Sequence, residues 1–369
     1  MKESIKESLD VKKRLIRSER YALQSVSKKA LPGERVSICL RNRIPNKAEQ
    51  TYEDIKVWQH NKTGKAFLSG LAVCGSVWTC PVCAAKISER RKLELKKAFD
   101  MFQSEGGKIA MLTLTFAHNR FDSLKDLLDK FGQATNKFMS GKAYNNIRLE
   151  MGIVGRIRAS ECTYGDNGFH PHAHIAIFYE NDCDLDDMRI KMYRLWEKAC
   201  IKFDLKTSFD HGLDLQNAHK AEEYFTKHGT WSIEQEMTKW HTKKGKKDSL
   251  TPYDFLRLYL NTENEKYLRL FKEYAIAYKG KRQLQWSQGL KKMFVLEEKS
   301  DEEVAKEKLE DADLLGLIEY FDWKHILKYD LRSKLLDNIE KHGYDLGLKI
   351  TLATKKESSR HEDSANNEI

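Results

Sequence analysis

A histidine-rich segment, residues 169–178, constrains this chain more than any other feature. It holds three of the twelve histidines at a spacing of two. Residues two apart in a strand point to the same face, and the apolar end of the segment predicts a strand. His170, His172 and His174 are therefore expected to project together. Three imidazoles on one face can hold a divalent metal ion.

The residues before this segment complete a predicted hairpin. Residues 157–164 predict a second strand, and residues 165–168 have the composition of a tight turn. With residues 166–167 at the tip, Glu161 lies opposite His172, and opposed residues share a face. A carboxylate beside two or three imidazoles favours Mg²⁺ or Mn²⁺ over a closed zinc site. The alternative is a solvated hairpin face that binds nothing.

Cysteines form a second candidate metal site. Cys80 and Cys83 lie in a Cys-Pro-Val-Cys sequence, six residues after Cys74. Thiolates two residues apart can hold one tetrahedral zinc ion from a tight turn, which the proline favours. Cys39 is the best candidate for the fourth ligand, and His60 is the alternative. We predict a structural Zn²⁺ site. The competing interpretations are buried cysteines at chance spacing and, less favoured without a βαβ pattern, a redox pair.

The charge balance favours a polyanionic partner such as nucleic acid. Lys and Arg number 65 against 55 Asp and Glu, a net charge of +10, although charge alone does not establish such a partner. Three cationic segments are candidates: a basic helix at 84–103, a Lys-rich run at 239–247, and residues 280–290, where cations surround an indole. The candidate DNA-binding residues are Arg90, Arg91, Lys243, Lys244, Arg282 and Trp286. The alternatives are a solvated helix face for 84–103 and docking onto the core for 280–290.

The sequence also predicts the cellular location of the protein. Residues 1–29 are charged throughout and show no signal peptide, and no run reaches the roughly 18 apolar residues of a membrane span. We therefore expect a cytoplasmic protein without a membrane partner. Its seven cysteines are then expected to be metal ligands or core residues and not disulfides.

The order of predicted elements indicates an α+β fold. An apolar strand at 108–117 is followed by a helix at 123–139, the hairpin, and a helix at 185–202. This order predicts one antiparallel sheet covered by helices on one side. The strand 108–117 is apolar on both faces, which is typical of a central, doubly covered strand. After about residue 300, apolar stripes predict a helical segment.

A later predicted helix carries a tyrosine three residues before a lysine. Tyr224 and Lys227 would share one helix face. An ammonium group stabilises a neighbouring phenolate, which is what a tyrosine nucleophile requires. The alternative is an ordinary packing or surface pair, which is the more common reason for such spacing.

Together these motifs resemble those of the HUH endonucleases. The three that carry the resemblance are a Thr-Leu-Thr strand end at 113–115, the pair His172 and His174 with Glu161, and the Tyr224/Lys227 helix. The cysteine element and residues 282–290 resemble more narrowly the replication initiators, or Rep proteins, of rolling-circle plasmids. The resemblance covers roughly residues 36–296.

The resemblance implies an HUH endonuclease fold and a DNA nicking and joining enzyme. Such proteins nick one strand at the plasmid double-strand origin, and the tyrosine becomes linked to the 5′ phosphate. The free 3′ hydroxyl then primes synthesis, which implies host helicase and polymerase as partners. In this chain Tyr224 would attack a phosphate whose oxygen is bound by the metal, and Lys227 would lower the tyrosine pKa or hold the phosphate.

This sequence departs from the family pattern at one position. Part of the family carries a glutamate four residues before the tyrosine, which activates water at termination, and Lys220 stands there in this chain. Termination would then use Glu223 or the tyrosine of a second subunit in a homodimer. His170 would be a fourth metal ligand or a phosphate contact. Two other functions remain alternatives: a zinc-dependent nucleic-acid binder without catalysis, and a relaxase or single-tyrosine transposase.

The predicted organisation has six parts. They are a polar leader at 1–35, a zinc-binding region with the basic helix at 36–104, the HUH catalytic domain at 105–230, a basic helical extension at 231–299, a helical C-terminal segment at 300–354, and a disordered tail at 355–369.

Overall fold

The computed structural model describes residues 2–217, 249–307 and 311–354. Side chains are described from residue 16 onward. The chain divides into two compact units. We call residues 1–74 with 306–369 the terminal unit and residues 75–305 the central unit. Within the described ranges, none of the helices has the length and apolar character that crossing a bilayer requires.

The terminal unit combines a small sheet with helices from both ends of the chain. Its strands are β1 (Pro45–Asn46), β2 (Thr51–Tyr52), β3 (Ile55–His60), β4 (Ala66–Ser69) and β10 (Ala312–Ile318). Its helices are α1 (Lys2–Ala30), α11 (Tyr320–Lys328), α12 (Arg332–His342) and α13 (Tyr344–Ala353), and a 3₁₀ turn spans Arg35–Ser37. β10, β3 and β4 form one antiparallel sheet in that order, and β1 and β2 form a separate ribbon.

The polar leader that the sequence predicts is instead a long helix, and its last turns belong to a core. Leu23, Val26 and Ala30 are buried, and their spacing of three and four residues places them on one helix face. The amide oxygen of buried Gln24 accepts hydrogen bonds from Arg41 at 3.3 Å and from Arg332 at 2.7 Å. The polar leader predicted at 1–35 therefore does not extend beyond about residue 20, because the later turns carry a short apolar stripe among their charges.

The predicted C-terminal helical segment contains one strand. Residues 312–318 form β10, which pairs with β3 and has an irregularity between Leu314 and Gly316. The remainder of this region is helical, as predicted, in α11, α12 and α13. The helical interpretation of residues 312–318 is wrong because a short apolar run fits either element. The strand forms because β3, about 250 residues away in sequence, supplies the pairing partner.

The central unit is built on a five-stranded sheet. Its strands are β5 (Lys108–Leu114), β6 (Ile153–Gly165), β7 (Gly168–Tyr179), β8 (Leu213–Asn217) and β9 (Leu284–Trp286). Its helices are α2 (Pro81–Ser104), α3 (Leu124–Phe138), α4 (Gly141–Met151), α5 (Leu185–Lys202), α6 (Phe209–Gly212), α7 (Pro252–Thr262), α8 (Glu265–Ala277), α9 (Leu290–Met293) and α10 (Asp301–Lys306). The strand order is β8-β5-β7-β6-β9, and every neighbouring pair is antiparallel.

Both faces of this sheet are covered. Ala110, Leu112 and Leu114 of β5 belong to a core with α3, α4 and α5, and the alternate residues Ile109 and Met111 belong to a second core with α2. The doubly covered strand is thus confirmed, but the prediction of helices on one side is wrong. The helix read as basic and solvated, α2, buries an apolar stripe through Phe99 and Phe102, which contact the Phe178 ring.

Local sequence signals set several element boundaries as predicted. Ser123 caps α3 by accepting a hydrogen bond from the Asp126 backbone N–H, and α5 spans the predicted 185–202. The β6–β7 turn has Gly168 in the left-handed region at φ +84°, where a residue with a side chain is strained.

Gly168→Ala tests how tightly this turn is held. A Cβ there would lie 2.8 Å from the Arg120 Cα, whereas Gly106 has a similar φ of +86° and nothing within 4 Å. We expect Gly106→Ala to cost about 1–2 kcal/mol of unfolding free energy from φ alone. Gly168→Ala should cost roughly 1–3 kcal/mol more because the backbone must move. Urea denaturation measures both, and equal costs would contradict the contact.

Candidate metal centre

The β6–β7 hairpin brings one carboxylate and two imidazoles together. Glu161 pairs with His172 across the hairpin, as the sequence predicts, and Ala159 pairs with His174. The Glu161 Oε2 atom lies 3.5 Å from His172 Nε2 and 3.9 Å from His174 Nε2. One ligand atom from each of the three residues lies within 4.8 Å of the others. We call Glu161, His172 and His174 the metal triad.

Neighbouring polar groups orient both imidazoles. The His172 Nδ1 atom lies 3.1 Å from the His170 carbonyl oxygen. Because a carbonyl only accepts, Nδ1 carries the proton and Nε2 presents its lone pair toward Glu161. The His174 Nδ1 atom lies 3.1 Å from the Thr113 hydroxyl on β5. In both rings Nε2 is therefore the nitrogen that faces the carboxylate, because the contact at Nδ1 holds the ring in place.

The triad has the composition of a divalent metal site. Glu161 is 4% exposed, and a buried carboxylate is costly unless a cation or a hydrogen-bond donor accompanies it. Its backbone carbonyl accepts a hydrogen bond of 3.0 Å from the hydroxyl of buried Tyr278, which fixes this part of β6. One oxygen and two nitrogen donors fit Mg²⁺ or Mn²⁺, ions that take further oxygen ligands beyond these three.

His170 lies beside the triad without joining it. Its ring stacks at 5.2 Å on the His172 ring and lies 4.7 Å from the His118 ring. Burial, then His172 and His118, lower the pKa of His170 to about 3. The three-residue group contains Glu161, His172 and His174 only, so a role for His170 as a fourth ligand or phosphate contact stays a prediction. What the structure adds is its backbone carbonyl, which sets the His172 tautomer.

The four predicted zinc ligands form a second group. One Sγ atom each from Cys39, Cys74, Cys80 and Cys83 lies within 4.8 Å of the others, and all four residues are buried. The backbone N–H of Cys74 lies 3.4 Å from Cys39 Sγ, and that of Cys83 lies 3.5 Å from Cys80 Sγ. Such N–H contacts stabilise thiolates. Four sulfur donors at this spacing fit a tetrahedral Zn²⁺ ion, and the fourth position is taken by Cys39 and not by His60.

The predicted DNA-binding residues of the described regions differ in their surroundings. Arg91 is buried, and its guanidinium lies 2.9 Å from both Glu94 and Asp301. Half-buried Arg90 lies 3.7 Å from Glu94. Their charges are thus compensated within the protein.

Residues 280–290 dock against the sheet, which was one of the two interpretations. Leu284–Trp286 form the edge strand β9 on β6, and the Trp286 ring packs against the core that includes α2. The Lys291 ammonium lies 5.6 Å from its centroid. Arg282 is exposed.

The predicted nucleophile lies outside the described residues. The same is true of Lys227, Glu223, Lys220, Lys243 and Lys244, all of which fall within 218–248. The preceding strand β8 ends at Asn217, which pairs with Ala110 of β5. Tyr224 is therefore seven residues beyond the end of β8, an edge strand of the sheet that carries the metal triad.

Sequence reasoning missed two residues that support the triad. Thr113 belongs to the Thr-Leu-Thr strand end that carries the resemblance, with no role predicted for it, yet its pairing with His174 in β7 places its hydroxyl on the imidazole. The alternation of residues in β5 could have indicated this once β5 was paired with β7. Tyr278 carries no local signal, because its contact with Glu161 joins residues 117 positions apart.

Comparison with known proteins gives one family match and several curated relatives. A family described as "Replication protein" matches residues 66–332, more than half of the chain. A protein named "Protein rep" from Streptomyces lividans is 26% identical over 302 residues, which cover 63% of this chain and 66% of the relative. No solved structure matches the chain.

Two further relatives match over shorter regions. "Protein rep" of Lentilactobacillus hilgardii is 26% identical over 179 residues, covering 47% of this chain and 53% of the relative. A "Neomycin resistance protein" of Streptomyces cyanogenus is 29% identical over 146 residues, 33% of each chain. The chain thus spans between a third and just under two thirds of the length of these relatives.

Thr113→Val tests the orientation of His174. The variant keeps the shape of the side chain and removes the hydroxyl at Nδ1. We expect Mn²⁺ affinity to fall about 10–100-fold, the usual effect of losing the group that orients a metal-binding imidazole. The unfolding temperature of the metal-free protein should be nearly unchanged. Calorimetric Mn²⁺ titration measures the affinity. Thr115→Val is the control, because the Thr115 hydroxyl donates to the His211 carbonyl. An equal loss in both variants would contradict the orientation.

Cys80→Ser tests the zinc site. Purified wild-type protein should contain about one zinc ion per chain, and Cys80→Ser should lower both the zinc content and the folded yield, because a structural zinc contributes folding free energy. Cys183→Ser is the control, since half-buried Cys183 lies outside the four-cysteine group. Elemental analysis of both variants measures the metal. Unchanged zinc in Cys80→Ser would remove Cys80 from the ligand set.

Proposed function

The chain belongs to the replication protein family, and from that membership we propose that it initiates plasmid replication by nicking one DNA strand at the origin. The observation that carries the proposal is the metal triad, because Glu161, His172 and His174 meet on one face of the central sheet. A structural protein or a simple DNA-binding module has no need for oriented imidazoles around a buried carboxylate.

The triad would hold Mg²⁺ or Mn²⁺. A divalent ion there would bind a non-bridging oxygen of the scissile phosphate and offset the charge that develops on it. The chain's own contribution is position: β6 and β7 fix the three ligands, and Thr113 and the His170 carbonyl fix the two rings. The metal-free triad is thereby preorganised and does not need to reorganise when substrate enters.

Tyr224 is the proposed nucleophile. Its phenolic oxygen would form a bond to phosphorus while the bond from phosphorus to the 3′ oxygen breaks. The phenolic proton passes to the departing 3′ oxygen through Lys227 or solvent, leaving a 5′-phosphotyrosine and a free 3′ hydroxyl. Strand joining reverses this step with a new 3′ hydroxyl as the attacking group.

The end of β8 is close enough to the triad for this assignment. Asn217 lies two strands away from β7 and three residues along the strand from the row of His174, a separation of roughly 14 Å from strand spacing and rise. The seven residues from Asn217 to Tyr224 can span at most about 25 Å. Chain length therefore allows the tyrosine to reach the metal triad.

The partners follow from the same proposal. Plasmid origin DNA would be bound as duplex and as exposed single strand, and the 3′ hydroxyl would be extended by a host polymerase with a host helicase ahead of it. Termination would use Glu223 or a second subunit's tyrosine, since Lys220 replaces the expected glutamate. The basic segment with Lys243 and Lys244 would contact the DNA backbone.

Tyr224→Phe tests the nucleophile. Supercoiled plasmid carrying the cognate origin is incubated with the protein and Mg²⁺ or Mn²⁺. Wild-type protein should nick the plasmid and carry a covalent nucleotide, which mass spectrometry locates on a peptide. Tyr224→Phe should give no adduct and a rate at least about 1,000-fold lower, because phenylalanine offers no attacking oxygen. Tyr267→Phe is the matched control. An adduct that persists in Tyr224→Phe would refute the assignment.

His172→Ala separates the proposed function from its main alternative. Loss of nicking with origin binding retained excludes a zinc-dependent nucleic-acid binder without catalysis. Full nicking activity in His172→Ala would contradict a role for the metal triad. Cutting at a transposon end or a transfer origin in place of a replication origin would indicate a transposase or relaxase.

A further inference from the structure

A cationic cleft lies on the face of the central sheet opposite the metal triad. Residues alternate along β6, so Arg158 and Ser160 point away from Glu161. The cleft of about 370 Å³ lies between α3 and residues 278–285. We call it the rear cleft; its lining includes Arg158, Ser160, Lys281, Arg282 and Gln285, with Phe131 and Gly132 of α3 on the far wall.

The charge of the rear cleft is compensated only in part. Arg158, Lys281 and Arg282 line it, and no carboxylate does among the residues that the structure describes. Lys281 has Asp129 at 3.4 Å. In contrast, Arg158 has no ion-pair partner within the described ranges: its guanidinium donates to the Gln285 amide oxygen, and its buried Nε atom has no hydrogen-bond partner. Burial, followed by the charge of Arg156 on the same strand face, lowers the pKa of Arg158.

An uncompensated, largely buried guanidinium is a costly arrangement. Removing a charge from water costs several kcal/mol unless an opposite charge or hydrogen bonds replace the water, and a second arginine two residues away adds repulsion. An anion in the rear cleft would remove this cost, and a guanidinium is the side chain best suited to phosphate oxygens.

A glycine keeps the rear cleft open. Gly132 lies inside helix α3, where glycine is less favourable than alanine. A Cβ at this position would meet nothing within 4 Å, so close packing does not explain the glycine. Gly132, beside the apolar Phe131, thus leaves a slot in the α3 wall of the rear cleft, whose volume of about 370 Å³ is far smaller than a duplex.

We propose that the rear cleft binds a phosphate of single-stranded nucleic acid, as a second contact separate from the metal triad. The choice of a nucleic-acid strand over another phosphate rests on the proposed function. Arg158 would hold two phosphate oxygens, and Lys281 and Arg282 at the mouth of the cleft would follow the backbone. Since the two sites lie on opposite faces of β6, the strand in the rear cleft is not at the scissile position.

The test measures binding of a labelled oligothymidylate to the full chain by fluorescence anisotropy, without added Mg²⁺ or Mn²⁺, across several salt concentrations. Arg158→Gln should lower affinity about tenfold and reduce the slope of log K against log salt by roughly 0.7, the share of one phosphate contact on a single strand. Arg148→Gln, a charge-matched change on the surface of α4, should alter neither quantity by as much.

Gly132→Leu tests the slot without removing a charge. Leucine is a better helix former than glycine, so folding is expected to be preserved or improved, while the side chain occupies the cleft. Affinity should fall about as far as in Arg158→Gln. Lys281→Gln, a change at a partly exposed side chain, should lower the salt slope similarly. This variant replaces Arg158→Gln as the test of charge if Arg158→Gln folds poorly. Wild-type affinity in both Gly132→Leu and Lys281→Gln would overturn the proposal.

Free nucleotide is the other source of the same phosphate chemistry. Thymidine monophosphate added as competitor should displace the oligothymidylate only at much higher concentration. Displacement at matched phosphate concentration would indicate that the cleft binds a free nucleotide, and it would contradict the proposed binding of a strand. The assay needs neither an origin nor cleavage, so the two proposals fail separately. If strand binding depends on Arg158 but the protein does not nick DNA, only the proposed function is contradicted. If the protein nicks normally but strand binding does not depend on Arg158, only this inference is contradicted.

Discussion

The register of the β6–β7 hairpin is the constraint on which the site depends. Side chains alternate along a strand, so a shift of one residue in β6 would carry Glu161 to the opposite face of the sheet. The hairpin cannot shift easily, because β7 also pairs with β5, and Ala176 and Phe178 of β7 are buried in the core on the same face as His172 and His174. Burial of this apolar end therefore fixes the position of the two imidazoles.

Orientation of the ligands comes from groups that are distant in sequence. Thr113 lies on the neighbouring strand, 61 residues before His174, and Tyr278 reaches the Glu161 backbone from the region after α8. Hydrogen bonds of this kind contribute only about 1 kcal/mol each to stability. Their larger effect is on ligand geometry, because an imidazole that is free to rotate or change tautomer is a poorer metal ligand.

The parts that could be predicted from sequence are those set by local signals. Turn residues at 165–168 and histidines at a spacing of two were sufficient to predict the pairing of Glu161 with His172. The helix predicted at 123–139 agrees with α3 to within one residue at each end, and Ser123 is its cap. Spacing along the chain likewise indicated Cys74, Cys80 and Cys83, whereas the choice of Cys39 over His60 for the fourth position needed the structure.

The errors came where pairing partners are distant or a weak apolar pattern is hidden among charges. Residues 312–318 become a strand because β3 is available, which no local pattern reveals. Helices α1 and α2 look solvated in sequence, and each buries a narrow stripe. The rear cleft was missed for the same reason: Arg158 and Lys281 are 123 residues apart and meet only when β9 pairs with β6.

Electrostatics explains why β6 carries its carboxylate on one face and its arginines on the other. A guanidinium on the same face as Glu161, at about 5 Å, would attract the carboxylate by roughly 3 kcal/mol at an effective dielectric constant of about 20. Such a guanidinium would lower the affinity of the metal triad for a divalent ion by about two orders of magnitude. Alternation along the strand places the cations Arg156 and Arg158 behind the sheet and the carboxylate in front of it. The sheet thereby separates a surface suited to phosphate from one suited to a metal ion, although both are built from consecutive residues.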